Sequence, residues 1–75
     1  MADDEQATLP SFFCPISMAL MNNPVTCSDG FTYERSSIET WLQSNTVSPM
    51  TGMPLQGSGL IPNHNLRNAI QEWKE

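Results

Sequence analysis

Two four-residue blocks, Cys14-Pro15-Ile16-Ser17 and Ser48-Pro49-Met50-Thr51, hold a large share of the residues in this chain whose types could do chemistry. Each opens on a thiol or hydroxyl, continues with proline and closes on a second hydroxyl. Sulfur and oxygen at that spacing suggest metal ligation, nucleophilic attack or a hydrogen-bonded brace. Ligation falls short, because Cys14, Cys27 and His64 make three soft ligands, one fewer than a closed structural zinc site needs. Attack falls short as well. A catalytic thiol needs an activating environment, and Cys14 lies between Phe13 and Pro15 with only the distant His64 to act as base. Cys14 therefore reads as a buried structural thiol and His64 as an exposed residue at a helix start. The brace is the reading that remains.

The elements that must position these blocks are few. Seventy-five residues form one small domain. At this size about 60% of the unfolded surface is buried on folding, so the core needs a staple or a dense polar network. A Cys14–Cys27 disulfide is open in principle. The first nine residues are polar and acidic, unlike a signal peptide, so reduced thiols in an intracellular protein, cytoplasmic or nuclear, are expected. The net charge is -5, and Arg35, Arg67 and Lys74 are the whole basic complement. That balance argues against nucleic acid and anionic membranes as partners, and no apolar run reaches the roughly 20 residues of a membrane span. The expected partner is another protein.

Residues 1–8 read as a disordered acidic lead-in and residues 9–75 as the folded domain, anchored first by Phe12 and Phe13. Leu20 and Met21 fall in a compact turn, and Asn23-Pro24 marks a break. Val25-Thr26-Cys27 and Phe31-Thr32-Tyr33 flank Ser28-Asp29-Gly30, the pattern of a β-hairpin. Ile38, Trp41 and Leu42 then form the apolar stripe of a helix beginning at Arg35 or Ser36. Prolines and glycines make residues 44–58 an extended loop. Leu60-Ile61 is a short strand, and Asn63 caps a second helix striped by Leu66, Ile70 and Trp73 that runs to the chain end.

The spacing of the two blocks resembles that of a zinc RING finger with one cysteine of four retained. Laying its eight ligand positions on the chain gives Cys14, Ser17, Asp29, Phe31, Glu34, Ser37, Ser48 and Thr51. They divide into Cys14/Ser17/Glu34/Ser37 and Asp29/Phe31/Ser48/Thr51. Hydrogen bonding suits most of them, and with Arg35 beside them they are expected to brace the two loops without metal.

From Leu9 to Trp73 the chain resembles the U-box, the zinc-free relative of the RING finger. The resemblance rests on Phe13-Cys14-Pro15-Ile16-Ser17, Asn23-Pro24-Val25, Thr32-Tyr33-Glu34-Arg35, Trp41-Leu42, Pro49, Leu60-Ile61-Pro62-Asn63 and Leu66-Arg67. It implies an α+β fold: a short antiparallel sheet, a central helix, two long loops and a C-terminal helix, with no zinc and no cofactor. It also implies ubiquitin ligation by recruiting a ubiquitin-charged conjugating enzyme for transfer to lysines of a protein substrate not identified by the sequence. The recruiting surface carried over by position is Ile16 and Met18 from loop one, Trp41 from the central helix and Pro49 from loop two. Many RINGs and some U-boxes place an Arg or similar donor directly after the last pseudo-ligand, where this chain has Gly52. That favours an alternative, a non-catalytic module for interaction or homodimerisation.

Overall fold

A computed structural model of the chain describes residues 10–57 and 59–74. The acidic lead-in, residues 1–8, lies outside them. A single 3-10 turn, Pro10–Phe12, opens the described chain. Strand β1 is Pro24–Thr26, β2 is Thr32–Glu34 and β3 is Ile61–Pro62. Helix α1 is Arg35–Leu42 and α2 is His64–Lys74. The expected α+β architecture is the one observed, with a three-stranded antiparallel sheet in the order β2-β1-β3.

The hairpin forms where the sequence places it. Gly30 donates to the Cys27 carbonyl at 3.0 Å and Cys27 to the Phe31 carbonyl at 2.9 Å, with Gly30 at φ 85°. A three-residue loop that ends in a left-handed residue suits glycine. Both strands are displaced by one residue from the runs the sequence suggests, β1 beginning one earlier, on Pro24 itself, and β2 one later, on Thr32. A strand's first position tolerates a residue with no N–H, and the Pro24 carbonyl still accepts from Asn63 at 2.9 Å. Cys27 and Phe31 thereby fall in the turn. Strand β3 is likewise shifted onto Pro62, which is acceptable at a sheet edge.

Asn63 caps α2 as expected, its Oδ1 accepting from the Leu66 N–H at 3.0 Å. The core is made of Phe12, Cys14, Met21, Val25, Cys27, Tyr33, Ile38 and Ile70, with Leu66 and Trp41 packed on its margin. Both cysteines are free and buried, so each fills core space as a small apolar side chain. Trp73 stands edge-on to Phe12, centroids 5.8 Å apart, which ties the end of α2 to the first turn. No helix among the described residues is long and apolar enough to cross a membrane.

Candidate functional site

The two blocks fold into two loops of one design. In loop one, Cys14 donates its N–H to the Ala19 carbonyl at 2.9 Å, and its own carbonyl accepts from Met18 at 2.7 Å. In loop two, Ser48 donates to the Met53 carbonyl at 2.8 Å and accepts from Gly52 at 2.9 Å. Each neck is closed by one antiparallel bridge, Phe13 to Leu20 and Val47 to Pro54. Side chains repeat the pattern. Cys14 Sγ accepts from the Ile16 N–H at 3.4 Å, and Ser48 Oγ from the Met50 and Thr51 N–H groups at 3.0 Å each. Ser17 Oγ accepts from Ala19 at 3.3 Å as Thr51 Oγ1 accepts from Met53 at 3.1 Å. Both loops turn through a left-handed residue at the same place, Met18 at φ 64° and Gly52 at φ 75°.

Loop two is tied to the hairpin from below. Ser48, 2% exposed, donates to Asp29 Oδ2 at 2.7 Å, and Tyr33 donates to the same oxygen at 2.7 Å. Asp29 Oδ1 accepts from the Phe31 N–H at 2.9 Å. Burial pushes the Asp29 carboxyl up, but the Ser48, Phe31 and Tyr33 donors outweigh it and hold Asp29 below the usual carboxylate range. The same charge works against its acidic neighbours. Burial and then Asp29 raise the Cys27 thiol to about 11, and burial with the Asp29 hydrogen bond raises the Tyr33 phenol. A further tie runs from the Gln56 N–H to Ser28 Oγ at 3.0 Å.

Loop one has a thiol at the place where loop two has its hydroxyl. Burial pushes the Cys14 thiol up, and the amides of Glu34, Ser17 and Ile16 pull it net below its ordinary value. Glu34 does not reach Cys14 with its carboxylate, which turns instead to the Asn22 N–H at 2.7 Å and the Asn23 N–H at 3.3 Å. Those bonds leave α1 without a side-chain cap at Glu34.

The structure brings together Asp29, Ser48 and the backbone of Thr51, and separates others. The Arg35 guanidinium lies on Glu39 at 3.3 Å, one helical turn away, and not among the pseudo-ligands. Ser37 makes no side-chain hydrogen bond among the described residues, and Phe31, which offers no hydrogen-bonding side chain to the second cluster, is 39% exposed. Tyr33 is the member that the sequence did not point to, since a buried strand tyrosine looks like core until its hydroxyl is followed to Asp29. Among the described residues no grouping of His, Cys, Asp and Glu could hold a metal ion.

Of the apolar residues assigned to recruitment, Ile16, Pro49 and Trp41 are half-buried and Met18 is 74% exposed. The Trp41 indole N–H donates to the Val47 carbonyl at 2.8 Å, which fixes the end of α1 against the neck of loop two. The Asn45 amide caps the Trp41 carbonyl at 3.0 Å, so that corner is held from both sides.

The sequence model of the U-box domain matches residues 9–75. The chain is 51% identical over 63 residues to U-box domain-containing protein 51 of Arabidopsis thaliana, covering 84% of this chain and 8% of that protein. It is 55% identical over 64 residues to U-box domain-containing protein 25 (83% and 15% covered) and 47% identical over 73 residues to U-box domain-containing protein 54 (96% and 24%), both of Arabidopsis thaliana. The chain thus spans between 8% and 24% of the length of these relatives.

Proposed function

The chain belongs to the U-box family of ubiquitin-ligase-type modules, and from that premise we propose that it recruits a ubiquitin-charged conjugating enzyme and promotes transfer to substrate lysines. Ile16 and Met18 on loop one, Trp41 on α1 and Pro49 on loop two make the proposed docking surface. The observation that carries the reading is the bond from Trp41 to Val47, which locks the helix and loop two into one unit. Around it, Asp29 and Ser48 hold loop two from beneath without metal. Half-buried apolar groups on such a preorganised frame can act as hot spots in a small, transient interface.

The chemistry is positional. Holding the thioester near its attacking amine lowers an orientation cost, and the domain forms no bond to ubiquitin. Ile16→Ala and Pro49→Ala are each expected to lose conjugating-enzyme discharge to free lysine while the melting transition persists. Full activity in both variants removes this surface. Discharge is the better readout than self-modification, because Lys74 is the chain's one lysine.

Gly52 favours a second reading, docking or dimerisation without catalysis. It stands at the donor position with no side chain, and a Cβ placed there would meet nothing within 4 Å. Binding of a conjugating enzyme without faster discharge is the result that selects this alternative.

A further inference from the structure

The charges of this chain are unevenly placed. Its Asp, Glu, Lys and Arg residues fall at positions 3–5, 29–39 and 67–75, and segments 10–28 and 40–66, which contain both loops, have none. Among the described residues, the charges nearest the loops are occupied. Asp29 is turned inward onto Ser48, Tyr33 and Phe31. Glu34 is held by the Asn22 and Asn23 amides, and Arg35 and Glu39 face each other. Glu39 is two residues from Trp41, which puts it on the opposite side of α1. What the loops expose instead is methionine: Met18 at 74%, Met50 at 48% and Met53 at 65%. Met50 and Met53 flank Gly52 in the turn that begins at Pro49.

Resting on the recruiting reading above, we infer that docking on this domain is uncharged and methionine-mediated. Met18 beside Ile16 in loop one, and Met50 and Met53 beside Pro49 in loop two, supply its adaptable apolar contacts. The occupant is a conjugating enzyme whose own docking face is apolar, selected by fit and not by ion pairing. Methionine is unbranched and polarisable and re-packs against different shapes, so such a surface accepts several related partners. An interface without ion pairs has nothing for salt to screen once formed. The net charge of -5 acts on the rate of encounter.

Two measurements test this. The first is dissociation of wild-type protein from a conjugating enzyme between about 50 and about 500 mM salt, where the off-rate should stay within about twofold. An off-rate that rises about fivefold or more would overturn the inference by revealing contact ion pairs. The second compares discharge rates across a panel of conjugating enzymes for wild type and the triple variant Met18→Leu/Met50→Leu/Met53→Leu. Leucine keeps the apolar volume and loses the adaptability, so some enzymes should be retained within about twofold while others fall about tenfold. A uniform change across the panel, or none, sinks the specificity role. The salt arm uses wild type and so stands whatever the variant does. If wild type neither binds nor discharges any enzyme in the panel, the recruiting reading itself fails and this inference with it. Binding with the expected salt behaviour but no discharge supports the inference and selects the non-catalytic alternative.

Discussion

Loop one and loop two share a backbone plan and differ in what stands at its pivots. At the first pivot loop one has a thiol, Cys14, and loop two a hydroxyl, Ser48. Sulfur draws only weak amide contacts, that from Ile16 at 3.4 Å, while oxygen accepts two amides at 3.0 Å and donates to a carboxylate 19 residues away. Loop one is therefore organised mainly by its own backbone and by burial of Cys14 in the core. Loop two is organised by a polar anchor reaching into the hairpin. At the second pivot the order reverses, because loop two has glycine where the chain turns left-handed and loop one has methionine. The same local geometry is thus held by packing in one loop and by hydrogen bonds in the other.

Breaking the first pivot should separate the loops most. Ser48→Ala leaves the Asp29 carboxylate short of a donor and two amides short of an acceptor, and is expected to destabilise by about 2–4 kcal/mol. Cys14→Ala removes a sulfur and a weak acceptor at a site 0% exposed, for about 1 kcal/mol. Urea denaturation of the two variants measures the difference. Equal costs would mean that the polar anchor is no stronger than the packed thiol, and the contrast between the loops would fall.

Acid should loosen loop two before loop one. The folded Asp29 carboxyl is held below its unfolded value of about 3.9. Its contribution is therefore fully present above the unfolded value and lost as pH falls through the folded one. Protonation weakens the bonds from Ser48, Tyr33 and Phe31, a loss of up to about 2 kcal/mol. The stability gap between wild type and Asp29→Asn should close as pH drops from about 5 towards 2. A gap that stays constant would show that the Asp29 charge contributes nothing. The alkaline limb has the opposite sign: Cys27 at about 11 and the raised Tyr33 lose their contribution as pH climbs past ordinary thiol and phenol values.

Local signals explain how much of this was legible. Ser28-Asp29-Gly30 announced the hairpin and Asn63 the start of α2, because turn and cap chemistry lies within a few residues. The matching blocks also announced two like loops. What stayed hidden depends on direction. Glu34 and Arg35 are adjacent, yet Glu34 ends β2 and points to Asn22 and Asn23, whereas Arg35 begins α1 and meets Glu39 along the helix. Sequence spacing placed both near the pseudo-ligands and could not say which way either side chain turns. Tyr33 was hidden for a related reason, since its ring belongs to the core and only its hydroxyl to the anchor.

The second pivot gives the smallest and most discriminating contrast. Met18 holds a left-handed backbone at φ 64° with its side chain 74% exposed, so no burial offsets the strain in the free domain. Met18→Gly should relieve that strain and, after the entropy glycine adds to the unfolded chain, stabilise by about 0.5–1 kcal/mol. The recruiting proposal requires the same change to lower conjugating-enzyme discharge. At the equivalent place in loop two, Gly52→Arg should cost about 1 kcal/mol from backbone alone, because the space around a Cβ there is open. If Gly52 limits catalysis by lacking a donor, that less stable variant should discharge faster. Stability and activity then move oppositely at both turns. A Met18→Gly domain that is both more stable and fully active would place the strain of loop one outside its function.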